Sequence, residues 1–381
     1  MGRKKEPDLF QTFRNGLSSD DDLAISSFFV KLNEHIIMPK KTSEEINEDF
    51  RKAFLFYAKK GVSVSEAVML LDTENLGGFY SRPAARWYPL DTAAKIYPLS
   101  MKVSQMAVYR LSAYLKENVV PEILQIALIF TIKRFPHFAT TIKKGFFWHY
   151  LDTTKTRFVA EEENDMPCAP LNVSLSGSQT FRLLYFENRI SVELFHILAD
   201  GYGGMVFLKT LVAEYLRLLF VLPETGNGVL DINETPSEEE SSNAFSRFEP
   251  TEKPTGFFNK SAIQLGGTLS RVKPCRVLHF KLSASALRKV AKDNGATVTA
   301  FLLALMFIAG KSATDEQDGN MNIQVPVDMR KYYPNGSLRN FSLYCGISLL
   351  LYAITAPAEI LPEISRQLAE KTAKTEMNGM M

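Results

Sequence analysis

The segment from Phe181 to Phe220 constrains this chain more than any other. Phe181–Phe186 reads as a strand, Glu187-Asn188 as a short turn, and Ile190–Phe195 as the returning partner strand. Gly201–Gly204 breaks that strand. From about Met205 to Phe220, the residues Val206, Leu208, Leu211, Val212 and Tyr215 then recur at helical spacing. A hairpin that runs into a long helix with an apolar face belongs to an α/β architecture.

The alternation extends on both sides. At 381 residues the chain is too long for one ordinary core and fits two lobes plus an appendage. Residues 1–85 read as a helical lead-in. Ser43-Glu44-Glu45 opens a helix to about Lys60, with Phe50, Ala53, Phe54 and Tyr57 on one face, and Ser63 or Ser65 caps a second through about Leu71. Gly77-Gly78-Phe79-Tyr80 follows as a turn. Residues 86–222 form an N-terminal lobe, with a strand within Val103–Leu115, a helix from Pro121 to about Phe135, a strand at Phe146–Leu151, and the hairpin above. Residues 223–262 hold Pro223, Pro236, Pro250, Pro254 and the acidic run Glu238-Glu239-Glu240, and read as a solvated linker. Residues 263–381 form a C-terminal lobe: strand Arg276–Leu282, helices Ala284–Asn294 and Thr297–Lys311, and strands Asn322–Val327 and Phe341–Tyr352.

Composition narrows the function classes. The net charge is +2, and lysines and arginines are interleaved with acids, so no nucleic-acid footprint is expected. The most apolar runs, Phe301–Ala309 and Ile347–Ile354, are about half as long as a bilayer requires, so no membrane span is expected. The basic opening Met1-Gly2-Arg3-Lys4-Lys5 has no apolar stretch behind it and is not a secretory signal. Cys168, Cys275 and Cys345 have no paired spacing, which argues against a disulfide framework and a Cys-based zinc site. A cytoplasmic compartment is the expectation. His35, His137, His149 and His279 show no ligand spacing, so no metal is expected, and Trp87 and Trp148 read as core or channel-wall aromatics.

His196 is the candidate for chemistry. It stands at the end of the strand Ile190–Phe195, ahead of Asp200 and Gly201. An imidazole there projects beyond the sheet edge, and its ordinary titration near neutrality suits it to take a proton from a hydroxyl, amine or thiol. Gly201 permits a tight backbone reversal, and Asp200 fits a loop-holding ion pair with an arginine that sequence cannot name. On residue pattern alone, a core histidine followed by an ordinary Asp-Gly turn is an equal reading.

His196-x-x-x-Asp200-Gly201, after a strand and before a long helix, resembles the HxxxDG core of the chloramphenicol acetyltransferase-like superfamily. That group includes alcohol acetyltransferases, plant-type acyltransferases, wax-ester synthases and the condensation domains of peptide synthetases. Further blocks in the right order extend the likeness: Leu76-Gly77-Gly78-Phe79-Tyr80, Arg86-Trp87-Tyr88-Pro89-Leu90-Asp91, Ala93-Ala94-Lys95-Ile96-Tyr97-Pro98, Arg134-Phe135-Pro136, Phe147-Trp148, Val325-Pro326-Val327-Asp328-Met329-Arg330 and Leu338-Arg339-Asn340-Phe341. They cover roughly residues 70–220 and 275–345 and are most similar to bacterial alcohol-acetyltransferase-like proteins.

The resemblance implies an α/β, two-lobed chloramphenicol acetyltransferase-like fold with mixed sheets. It implies transfer of an acyl group from acyl-CoA, acetyl-CoA foremost, to a small alcohol or amine. His196 would be the general base in a direct attack on the thioester, with no acyl-enzyme. Asp200 would be structural, and Gly201 would leave room for substrate. Asn340 would face the substrate channel and donate a hydrogen bond there, against an equal reading as a strand-entry turn residue. No cofactor is implied beyond acyl-CoA as co-substrate, and nothing in the residues indicates a carrier protein. Two departures stand out: Phe195 occupies the place where many members carry a first histidine, and the plant-type Asp-Phe-Gly-Trp element is absent. Residues 263–381 are also short for a second lobe, so an abbreviated lobe is expected. The alternative is a degenerate, non-catalytic module binding an acyl group or a carrier protein; Phe195 and the short second lobe favour it, and the intact His196, Asp200 and Gly201 oppose it. A peptide-synthetase-like condensation domain is a third, weaker reading, since no carrier-protein or adenylation segment is seen.

Overall fold

The computed structural model describes residues 8–76, 87–102, 106–154, 156–171, 180–223, 226–248, 261–265 and 280–380. The chain divides into two compact units, Met1–Asn243 with Gly336–Asn340, and Ala244–Asn335 with Phe341–Met381.

The first unit opens with four helices, α1 (Leu9–Asn15), α2 (Ser19–His35), α3 (Lys40–Lys59) and α4 (Val64–Leu70). Their starts are written in capping residues. Asp8 accepts from the Phe10 and Gln11 amides, Ser18 from that of Asp21, and Ser63 from that of Glu66. The helix expected to open at Ser43 starts earlier: α3 begins at Lys40, behind Pro39. The first two helices were not anticipated because α2 buries only Ile25, Phe28 and Leu32, too sparse a stripe to read. The lead-in is part of the lobe's own core. Phe50 meets Phe130 at 6.1 Å between ring centres, the Arg157 guanidinium donates to Asp49 at 2.8 Å, and the Tyr57 hydroxyl donates to the Leu218 carbonyl at 2.9 Å.

The unit continues through β1 (Trp87–Pro89), β2 (Val108–Tyr114), α5 (Pro121–Thr131), β3 (Thr140–Lys144), β4 (His149–Thr153), β5 (Ala160–Glu162), β6 (Phe181–Phe186), β7 (Arg189–Phe195) and α6 (Gly201–Leu218). One sheet has the order β1-β4-β3 and is antiparallel; the other has the order β2-β7-β6-β5, with β5 parallel to β6 and the rest antiparallel. The larger sheet is therefore mixed, as expected, and the smaller is purely antiparallel. Every residue of α5 from Ile123 to Thr131 is buried; the one polar residue inside the apolar run, Gln125, bonds the Phe158 carbonyl and the Ala160 amide, both at 2.9 Å. On β7, Ile190, Val192 and Leu194 point into the core shared with α6. The other face carries Glu193, fully buried between Arg110 and Arg182, its register partners on β2 and β6.

Three expectations change here. Trp87 and Trp148 are 65% and 77% exposed, because they occupy the outer face and the hairpin tip of the three-stranded sheet. The acidic run is not wholly solvated: Glu240 binds the buried Arg134 guanidinium through both its oxygens, and Arg134 also donates to the Asp231 carbonyl at 3.1 Å. That pairing ties Glu240 to the first unit, whose bounds run to Asn243. The turn at residues 77–80 lies outside the described residues, as do Cys275 and His279.

The second unit holds α7 (Ala284–Asp293), α8 (Val298–Ser312), β8 (Asn320–Asp328), β9 (Ser342–Leu350), α9 (Pro357–Lys371) and α10 (Lys374–Gly379). Ser283 and Thr297 cap α7 and α8, as their positions suggest. β8 and β9 pair antiparallel from Asn320↔Leu350 to Asp328↔Ser342, and Gln367 of α9 bonds the Ser348 amide and carbonyl at 3.0 and 2.8 Å. The described part of Arg276–Leu282, residues 280–282, forms no strand. No single helix among the described residues is long and apolar enough to cross a membrane.

Candidate active site

The first unit builds a site around His196. The ladder of β7 ends at Phe195, and the His196 amide makes one further bond to the Ala107 carbonyl at 2.8 Å. Ile197, Leu198 and Ala199 are fully buried and anchor the connection into α6, which leaves the His196 ring half-buried. Tyr97 stacks on that ring at 4.5 Å and 19°, and Tyr109 packs against it at 5.0 Å and 55°. Burial, followed by the charges of Asp91 and Asp200, pushes the Tyr97 phenol up to about 12, so it stays protonated.

Asp200 is the N-cap of α6. Its carboxylate accepts from the Gly203 amide at 3.2 Å, and its carbonyl lies 2.8 Å from the Tyr109 hydroxyl. Gly201–Gly204 is thus the first turn of that helix and not a break before it, since Asp200 supplies the helix start. Gly201 is not needed for a backbone reversal: it is helical, and a Cβ there would meet nothing within 4 Å. The glycines that packing demands come next. A Cβ on Gly203 would collide with the Leu338 carbonyl oxygen, and one on Gly204 would sit 2.6 Å from the Tyr109 hydroxyl.

Asn340 reaches His196 across 144 residues. Its side-chain oxygen lies 3.0 Å from His196 Nδ1. Its amide nitrogen donates to Asp91 Oδ2 and to the His196 carbonyl, both at 3.1 Å. With both N–H groups engaged, Asn340 has no donor left for substrate; it orients the histidine instead. Asp91 is itself fully buried. It accepts from the Ala94 amide at 2.7 Å and lies 3.5 Å from Arg339 Nη2, which is also buried. Burial pushes the Asp91 carboxyl up from its ordinary value, opposed by the Arg339 charge and by the N–H groups of Asn340 and Ala94.

This network decides a tautomer. An acceptor-only carboxylate at Asp91 turns the Asn340 N–H groups away from His196, so the Asn340 oxygen faces Nδ1. Nδ1 then carries the proton, and Nε2 presents a lone pair; no described residue bonds Nε2. Sequence reasoning picked out His196, Asp200, Gly201 and Asn340 and missed Asp91, Arg339, Tyr97 and Tyr109. A signal was there for three of them: Asp91, Tyr97 and Arg339 fall inside the matched blocks that flank the motif.

No protein-family model matches the sequence, and no curated protein matches it significantly. Solved structures do match it. Polyketide synthase associated protein 5 from Mycobacterium tuberculosis superposes with a TM-score of 0.52 at 14% identity, covering 77% of this chain and 75% of that one. The first condensation domain of the calcium-dependent antibiotic synthetase, in complex with substrate analogue 3a, gives a TM-score of 0.52 at 14% identity and covers 76% of each chain. At this identity the likeness is one of fold: the chain shares the two-lobed α/β fold of these condensation-domain structures.

Proposed function

We propose that this chain is an acyltransferase that moves an acyl group from acyl-CoA, acetyl-CoA foremost, to a small hydroxyl or amine acceptor, with His196 as general base. The observation that carries the reading is the 3.0 Å contact from His196 Nδ1 to an Asn340 oxygen whose amide is pinned on its other side by Asp91. It leaves Nε2 as the basic nitrogen. The acceptor's proton passes to Nε2 as its oxygen or nitrogen attacks the thioester carbonyl carbon. When the C–S bond breaks, the same proton leaves Nε2 for the CoA thiolate, and the histidine returns to its starting form. The transient imidazolium donates from Nδ1 to Asn340 and lies against the face of Tyr97. Asp200 acts through structure, as the cap of α6, and the space around Gly201 leaves that helix start uncrowded.

The condensation-type fold and the sequence blocks similar to bacterial alcohol-acetyltransferase-like proteins support acyl transfer over other uses of a basic histidine. A carrier-protein thioester in place of acyl-CoA fits the same chemistry. The test is CoA release from acetyl-CoA with a panel of alcohols and amines. Release should fall by roughly 10²-fold or more in His196→Ala. Equal release from both proteins removes the assignment. Binding of acetyl-CoA without release by the wild type would favour the non-catalytic module.

A further inference from the structure

The three-stranded sheet has one face in the core, through Tyr88, Ile142 and Leu151. Its outer face and its β3–β4 tip carry aromatic residues that nothing in the acyl-transfer scheme uses. Phe146 is 92% exposed, Phe147 and Trp148 are each 77% exposed, and Trp87 on β1 is 65% exposed. The Gly145 amide donates to the Trp148 carbonyl at 2.7 Å and closes the loop that lifts these side chains off the sheet. Their rings rest on one another, Phe146 on Phe147 at 4.6 Å and Phe147 on Trp148 at 5.9 Å, while Trp87 meets Tyr150 edge-on at 6.3 Å. Scattered exposed apolar residues need no explanation, but three consecutive aromatics at a hairpin apex mark a contact surface. At the base of the apex, Lys143 and Lys144 are exposed, and Lys143 leans 2.6 Å from Asp152.

We propose that this hairpin is a membrane-surface anchor: Phe146, Phe147 and Trp148 enter the headgroup boundary of an anionic bilayer while Lys144 meets lipid phosphate. Three side chains exposed by 77–92% at one hairpin tip suit a fluid receptor, which takes them up without a matching shape. Trp148 suits the headgroup level, where its apolar ring and its N–H are both satisfied, and Phe146 and Phe147 bury apolar rings at the acyl boundary. Lys144, one residue before the loop and exposed, places positive charge where anionic phosphates lie once the tip is inserted. Such a contact lies on the surface, spans nothing and is reversible. It stands on the exposure and charge of the hairpin and is independent of the chemistry at His196.

The chain has two tryptophans, Trp87 and Trp148, and both lie on this sheet, so intrinsic fluorescence reports on it selectively. The experiment mixes the full chain with vesicles of phosphatidylcholine plus phosphatidylserine, and with phosphatidylcholine alone. The expected result is co-sedimentation and a blue-shifted, bromolipid-quenched emission with the anionic vesicles, weaker on the neutral ones and at high salt. The triple variant Phe146→Ser, Phe147→Ser, Trp148→Ser should reduce the bound fraction by roughly tenfold or more, with an unchanged melting temperature because those side chains face solvent. Absence of vesicle binding, or equal binding by the triple variant, overturns the proposal. So does a concentration-dependent dimer that the variant abolishes with no vesicle binding by either protein, which would make the tip an interface between copies.

Discussion

The most consequential atom in the first unit is the oxygen of Asn340, because its placement decides which His196 nitrogen is basic. Replacing Asn340 with Ala removes that acceptor while leaving the Asp91–Arg339 pair in place. The imidazole then has no partner to hold the proton on Nδ1. The expected outcome is a fall in CoA release on the order of 10-fold or more, smaller than in His196→Ala. In ¹⁵N NMR of labelled histidine, the Nε2 signal should lose its unprotonated character; an unchanged tautomer would show that Asn340 does not orient the ring. At this scale the sequence was legible where chemistry is local. His196 stands out once the flanking blocks are added to its strand end and Asp-Gly pair. Asp91 does not, since its bond to Asn340 spans 249 residues and exists only after folding. Glycine misled in the opposite direction: Gly201 stands in the recognisable motif, but Gly203 and Gly204 are the positions where a side chain has no room.

Elements were legible to the extent that their own periodicity is strong. The β6–β7 hairpin lies within a residue of its expected bounds, because alternation and a two-residue turn are short-range signals. The start of α6 was misplaced because four residues that include three glycines do not look helical until Asp200 is seen to cap them. The parallel pairing that makes the larger sheet mixed comes from β5, a strand of three residues and too short to read. What sequence could not show is the charge laid across that sheet. Glu193 accepts from the Arg110 guanidinium at 2.7 Å, from that of Arg182 at 2.6 Å and from the Cys168 amide at 2.7 Å. Glu163 then ties Arg110 to Arg189, at 2.8 and 2.6 Å. Glu193→Ala leaves two guanidinium groups facing each other across a buried strand. It should cost about 3–5 kcal/mol of stability, measured by urea unfolding. A loss below about 1 kcal/mol, the range of surface pairs, would mean that the network is decoration on a sheet held by packing alone.

For the whole molecule, the segment Gly336–Asn340 matters most, because it leaves the run of the second unit and folds with the first. Leu338 donates to the Glu240 carbonyl and Ser337 to that of Ser242, both at 2.8 Å, so the site depends on chain from far along the sequence. The same segment bears on acid stability through Arg339. His137 is fully buried, and neither of its ring nitrogens has a hydrogen-bond partner among the described residues. Burial first, and the Arg339 charge second, lower its pKa to about 3. An unfolded chain returns this imidazole to about 6.5, so between those values the unfolded state binds the extra proton. A depressed folded pKa contributes stability that is present above pH 6.5 and is lost as pH falls toward 3. Within that window each pH unit moves the folding equilibrium up to roughly tenfold toward the unfolded state through this one group. Carboxylates titrate lower in the same range, so the comparison with His137→Leu isolates the histidine. Urea midpoints measured from pH 7 to pH 4 should fall less steeply in the variant, by about one proton's worth of slope. Parallel curves would mean that His137 takes up its proton inside the fold, which a buried imidazole facing the Arg339 charge should not do.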